Sequence, residues 1–374
     1  MKKVLKNPAV QSLLASIICI ALGILIGYIV LLFINPGGAG EAIVSVLRNF
    51  FKFSNSTLRI KSFGNTLAKT IPLLMCSLSI LFAYKVGLFN IGCAGQYVAG
   101  ACGCLYAALA WGWSWLPCML LAIVCGALFG FIVGLLKAYC NVNEVISGIM
   151  LNWIGLYGTN TLLSKVKEVA SPYTHYLTDV NTSAILPKLG LDKLFNNEYV
   201  TIAVPIAILL AIAVMIVLDK TKFGYELKAT GFNKNAAKYC GMAEKRNIIL
   251  TLVIAGGLAG FGASLFYLTG FTRWECTQSS VPGMGFNGIA AAFLGGLNPV
   301  GSIVSSFFIQ HITDGGSYVN TNFYCAQISD LISSVIIYLC GFVLFIKLNM
   351  NKLLDKEGKK AEPVKANQEG GGKA

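Results

Sequence analysis

An all-α, polytopic membrane protein with about ten transmembrane helices is what this sequence predicts, on three observations. The 374 residues are 56% hydrophobic and only 12% charged, against about 45–50% and about 25% in soluble domains. Apolar runs of roughly 20 residues, enough to cross a hydrocarbon core ~30 Å thick, recur along the chain. The basic residues gather between those runs, where they set orientation. No stretch is left over for a large soluble domain, so any soluble chemistry falls to partners.

The elements follow in order. Residues 1–9, with MKKVLK, form a short cytoplasmic N-terminus. The run Leu13–Ile34 is too long for the apolar core of a cleaved signal and lacks an A-x-A site, so it reads as an uncleaved first span. Further spans are expected near 66–84, 90–110, 116–136, 144–163, 199–218, 247–268, 283–296, 299–313 and 328–346. Together 10–346 make one transmembrane domain. Residues 347–374, rich in Lys, form a cytoplasmic tail expected to be disordered.

Orientation follows from Lys and Arg. The loop 219–246 carries seven basic and three acidic residues and belongs in the cytoplasm, whereas loop 164–198 carries four of each and fits the outside. Both termini then face the cytoplasm. Residues 35–65 object, holding Arg48, Lys52, Arg59 and Lys61 against Glu41; the run EAIVSVLRNFFKF suggests an amphipathic helix lying in the interface.

Several tempting motifs carry nothing. The net charge of +13 is spread over loops that flank spans, which argues for topology rather than nucleic acid. Gly283, Gly285 and Gly288 fit G-x-G-x-x-G, but no strand precedes them and no acidic residue follows at the required distance. The stretch GLNPVGS mimics a phosphate loop without its Lys. His175 and His311 are the only histidines, and neither has metal-ligand spacing around it, so no metal site is expected. Of twelve cysteines most fall in apolar runs, as small hydrophobes; a bridge between Cys276 and Cys325, both placed outside the membrane, stays open. An enzyme finds no support.

The interruptions carry the information. GLFNIGCAGQ, from Gly87 to Gln96, breaks two apolar runs with polar groups that cost several kcal/mol if left unpaired in lipid. VPGMGFNGIAAAFLGGLNPVG does the same late in the chain. With the orientation above, spans two to five run opposite to spans seven to ten, the pattern of an inverted repeat with broken helices meeting near the midplane and marking a translocation pathway. Gly126, Gly130 and Gly134 in span four read as tight helix packing instead. Candidate pathway residues are Phe89, Asn90, Gln96, Glu144, Asn152, Phe286 and Asn287, with interhelical hydrogen bonding as the competing role for the amides. Charged residues in spans are few and sit near span ends: Lys69, Lys85, Lys137, Glu144 and Asp330. That scarcity argues against a proton-driven carrier and for energy from outside the chain.

Four stretches together, GLFNIGCAGQ, NEVISGIMLNWI, ATGFNKNAAKYCGM and GFNGIAAAFLGGLNPVG, resemble the membrane permease subunits of bacterial ABC importers. The likeness runs from about residue 60 to 346 and is closest to the nucleoside branch of the group that includes ribose and branched-chain amino acid permeases. It implies a subunit in the bacterial inner membrane that translocates nucleosides, with ribose or another small sugar as the alternative and a stand-alone secondary carrier as the rival class. It also implies partners: a second permease subunit, a cytoplasmic ABC ATPase that uses the ATP, an extracytoplasmic substrate-binding lipoprotein, and membrane lipid. No cofactor would be bound by this chain. Carried over by the resemblance, Gly231, Asn233, Ala236, Ala237 and Gly241 form the loop that docks on the ATPase, with Gly231 and Gly241 bounding a helix capped by Asn233. The chain departs from that branch at Ala94, where the family usually has an acidic residue before Gly-Gln.

Overall fold

In a computed structural model, residues 8–320 and scattered positions from 323 to 349 are described. The expected last span at 328–346 falls largely outside them, as do Cys325, the first seven residues and the tail beyond 349. The first helix, α1 (Pro8–Ile34), is apolar all round and exposes Ile17, Leu25 and Phe33, as a lipid-facing span does. The amphipathic segment follows as α2 (Ala39–Arg48), whose buried Ala39, Ala42 and Val46 form one face while Val44 and Leu47 stay exposed.

The centre of the bundle is built from α3 (Ser56–Lys85) and α10 (Glu244–Tyr267). Both are mostly buried along their apolar length, so protein rather than lipid surrounds them. Asn55 caps α3 by accepting the Thr57 amide at 2.9 Å. Around them stand α4 (Cys93–Ala110), α5 (Trp115–Cys140), α6 (Glu144–Leu163), α7 (Ala203–Lys220), α8 (Lys222–Phe232), α9 (Lys234–Tyr239), α11 (Met284–Leu294) and α12 (Pro299–Gly316), with shorter helical turns at 49–52 and within loop 164–198. No strand forms among the described residues; two isolated bridges, Lys167 with Thr174 and Tyr173 with Glu275, tie loops together.

The two halves of the chain pack on each other by exchange. Helix α10 packs on α4 and α5, and α3 packs on α11 and α12 in the same way. The glycine stripe of α5 makes the first of these contacts: a Cβ on Gly126 would meet the Gly260 Cα at 2.9 Å, and one on Gly134 the Ile249 Cα at 3.0 Å. Backbones touch there, as the small-residue spacing predicts.

Six helices among the described residues are long and apolar enough to cross a membrane; α6 and α12 have 20 and 18 residues but interleave more polar groups. Three differences from the expected boundaries bear on the site. Helix α3 starts at Ser56 rather than 66, because its polar first turns continue the helix beyond the apolar layer; 30 residues reach ~45 Å. The segment expected as a span at 283–296 holds only the 11 residues of α11, ~16 Å, about half of a hydrocarbon core. Helix α12 runs past 313 and takes Asp314 inside. As a result Lys69 lies well within α3 rather than near a span end, paired with Asp314 at 2.8 Å. Cys276 is a buried free thiol.

Candidate functional site: a junction of half-helices beneath an aromatic cavity

The break begins with Gly87. Its φ of +76° closes α3, with the Gly87 amide bonded to the Tyr84 carbonyl and the Leu88 amide to that of Ala83, both at 3.0 Å. This is a glycine-terminated helix end that satisfies two orphan carbonyls. The chain then turns back along α3, so that Asn90 reaches Ser79 at 3.0 Å and the Cys93 thiol lies 3.8 Å from the Cys76 carbonyl. Helix α4 therefore starts beside residue 76, deep within the bundle. Helix α11 starts at the same depth: a Cβ on Gly285 would fall 2.5 Å from the Ala94 Cα, and one on Gly288 would be 2.8 Å from the Cys76 Cβ. From there α11 runs toward the other end of the bundle, bringing Phe293 to 5.2 Å from Tyr84. Two helix N-termini thus meet head to head inside the fold.

Polar groups expected at the break hold it together. Asn90 donates to the Gln96 Oε1 at 2.8 Å and accepts from its Nε2 at 3.2 Å, and both residues are almost fully buried. Asn152 of α6 accepts the Gly95 amide at 2.7 Å and donates to the Ile91 carbonyl at 3.1 Å, serving a first-turn N–H of α4 and a loop carbonyl at once. Glu144 pairs with Lys137 at 2.7 Å at the start of α6. Phe89 is half-buried in the loop and Phe286 is exposed on α11. Asn287 alone among the expected pathway residues lines the cavity described next.

Single replacement of Asn90 by Leu strands the Gln96 amide in the core, a loss of about 1–3 kcal/mol. The double replacement Asn90→Leu with Gln96→Leu removes both partners, and its melting temperature in detergent is expected above that of Asn90→Leu. A double variant at least as unstable as the sum of the singles would remove the pairing argument.

A cavity of about 400 Å³ opens on the face away from loop 219–246, within the range of small-molecule sites. It is lined by Tyr97 of α4, Tyr267 of α10, Asn287 of α11 and Gln310 and Thr313 of α12, with Arg273, Trp274 and Glu275 of the loop after α10 as its rim. The aromatic groups touch, with ring centroids 6.2 Å apart for Tyr97 and Tyr267 and 5.9 Å for Tyr267 and Trp274. The rim is stitched to loop 164–198: Thr174 bonds to the Trp274 carbonyl at 2.9 Å, Cys276 to that of Pro172 at 2.8 Å, and Arg273 pairs with Glu168 at 2.8 Å. Sequence reasoning missed Tyr97, Tyr267, Gln310 and Asp314. A polar run QHITD inside an apolar helix was the available signal.

At the other end lies the segment from α8 to the start of α10. Asn233 caps α9 as expected, accepting the Ala236 amide at 3.1 Å, and Gly241 ends that turn at φ +78°. Gly231 is not a boundary of α9. It sits in α8, where a Cβ would meet the Gly87 amide nitrogen at 2.9 Å and the Val86 carbonyl closer still. Ala237 is buried and Ala236 exposed, while Phe232 and Tyr239 stand almost wholly in the open. Thr230 accepts from Asn247 at 2.9 Å, tying α8 to α10.

Comparison with known proteins extends this picture. The family described as branched-chain amino acid transport system / permease component matches residues 62–341. The nucleoside ABC transporter permease protein NupB of Lactococcus lactis is 31% identical over 359 residues, covering 92% of this chain and 95% of that protein. The guanosine ABC transporter permease protein NupP of Bacillus subtilis is 30% identical, covering 78% of this chain and 84% of its own. The glucose ABC transporter permease protein TsgB13 of Haloferax volcanii is 28% identical, with 80% and 82% covered. No solved structure matches the chain.

Proposed function

The chain belongs to the branched-chain amino acid transport system permease component family, as a multi-pass membrane transport subunit, and from that premise we propose that it imports nucleosides with energy from a separate ATPase. The observation that carries the cargo is the likeness to a nucleoside permease over 92% of the chain. A sugar remains the second reading, favoured by the glucose permease among the relatives and by Ala94 in place of the acidic residue.

The assembly pairs this chain with a second permease, ATPase subunits on the side of loop 219–246, and a binding lipoprotein on the side of the cavity. Both termini and loop 219–246 are cytoplasmic and loop 164–198 is outside, on the balance of Lys and Arg. Exposed Phe232 and Tyr239 flank the capped helix α9 and offer the ATPase apolar anchors. Ala237, being buried, keeps the segment folded onto the permease. Gly231 then passes displacement on: its backbone rests on Val86, the cap of α3, and on Gly87, the first residue of the broken stretch. Movement of α8 would tilt that stretch and, through Asn90 and Gln96, the start of α4. Alternating access needs such a link between the energy source and the midplane.

Uptake of radiolabelled guanosine and uridine by cells lacking this chain tests the cargo. Loss of uptake, restored by the chain only when the ATPase is present, is the expected result. Unchanged nucleoside uptake with loss of sugar uptake would replace the nucleoside reading with the sugar one.

A further inference from the structure

Asp314 is the acid that the sequence hid. Its carboxylate accepts from Thr66 at 2.9 Å, from the Lys69 ammonium at 2.8 Å and from the Gln310 amide nitrogen at 3.0 Å. An ionised carboxylate only accepts, so the Gln310 nitrogen must be the end that faces it. The other end of that amide, a carbonyl oxygen, is left for the cavity that Gln310 lines. Gln310 is itself only 4% exposed, which holds this acceptor in a fixed position. An acceptor held in a partly apolar wall selects a solute with a hydroxyl or N–H to give, because a solute without one leaves it unpaired.

The rest of the cavity narrows the class. Tyr97 and Tyr267, in ring contact with each other, also line the cavity and give it an aromatic surface suited to a ring. Arg273 is engaged by Glu168 and stacks 3.9 Å over Tyr176, so its charge is already matched and does not call for an anion. We propose that the permease itself reads its cargo here, with Gln310 accepting a hydrogen bond from a sugar hydroxyl of an uncharged nucleoside whose base lies against Tyr97 and Tyr267. Asp314 and Lys69 are positioning residues that fix the Gln310 amide. The inference rests on the nucleoside reading and adds to it that selection is not left to the binding lipoprotein alone.

The test uses the whole transporter, reconstituted with its ATPase and lipoprotein, at saturating concentrations of guanosine, uridine and their 2′,3′-dideoxy counterparts. Wild type is expected to carry the ribosides about tenfold faster than the dideoxy forms, the worth of one such hydrogen bond. Gln310→Met is expected to bring that ratio close to one. The ratio is taken within each preparation, so a smaller folded fraction cancels. Should Gln310→Met lose all uptake, the exchanged pair Gln310→Glu with Asp314→Asn keeps the charge, a donor between the two side chains and an acceptor for the cavity, and is expected to keep the preference for ribosides; its loss there counts against the proposal. A preference unchanged in Gln310→Met, or absent in wild type, overturns it and leaves nucleoside import standing. No nucleoside uptake by wild type would instead sink the cargo reading.

Discussion

Gly231→Val in the assembled transporter leaves the chain in the membrane and lowers uptake by roughly tenfold or more. Its Cβ would fall against the Val86 carbonyl and 2.9 Å from the Gly87 nitrogen. Backbone cannot yield as a flexible side chain does, and forced overpacking costs about 1–3 kcal/mol. The position lies in α8 with ordinary helical backbone, so close approach and not φ is what requires glycine. Because α8 is also tied to α10 through Thr230 and Asn247, the strain goes to the contact with the broken stretch. Substrate-stimulated ATP hydrolysis and uptake, measured together, are expected to separate: hydrolysis persists and uptake falls. Wild-type uptake in this variant would show that the contact transmits nothing.

Gly285→Ala is expected to lower the melting temperature of the purified transporter by several degrees and abolish most uptake, since the added methyl lies 2.5 Å from both Cα and Cβ of Ala94. There the two half-helices meet, and neither can retreat without opening the other's packing: Gly95 abuts Asn152 and Gly288 abuts Cys76. Gly283→Ala is the control, two residues earlier, where the nearest atom is the Asn287 amide at 3.9 Å. Equal behaviour of the two variants would show that the junction is loosely packed. The same contact accounts for Ala94: a carboxylate there would enter a fully buried position against the Gly285 backbone.

Much of this architecture was legible in one-dimensional pattern. Apolar runs located the helices, GLFNIGCAGQ located the break, and the Gly126, Gly130, Gly134 spacing located a backbone contact, because each depends on near neighbours in the chain. What was hidden depends on distant ones. The length of α11 is set by where its N-terminus meets Ala94, and composition alone made 283–296 look like a full span. Asp314 was overlooked because its three donors come from α3 and α12. The cavity draws Tyr97, Tyr267 and Gln310 from three helices, and nothing in the local sequence of any of them shows the other two. Ala237 was expected at a partner's surface because small residues mark close contact; the contact is with its own chain.

Energy source is the central claim, and reconstitution in proteoliposomes tests it most directly. With the second permease, the ATPase and the lipoprotein present, radiolabelled guanosine is expected to accumulate only when ATP is supplied, and ionophores that collapse proton and sodium gradients should leave the rate unchanged. Accumulation by this chain alone, driven by an ion gradient without ATPase or ATP, would contradict the account.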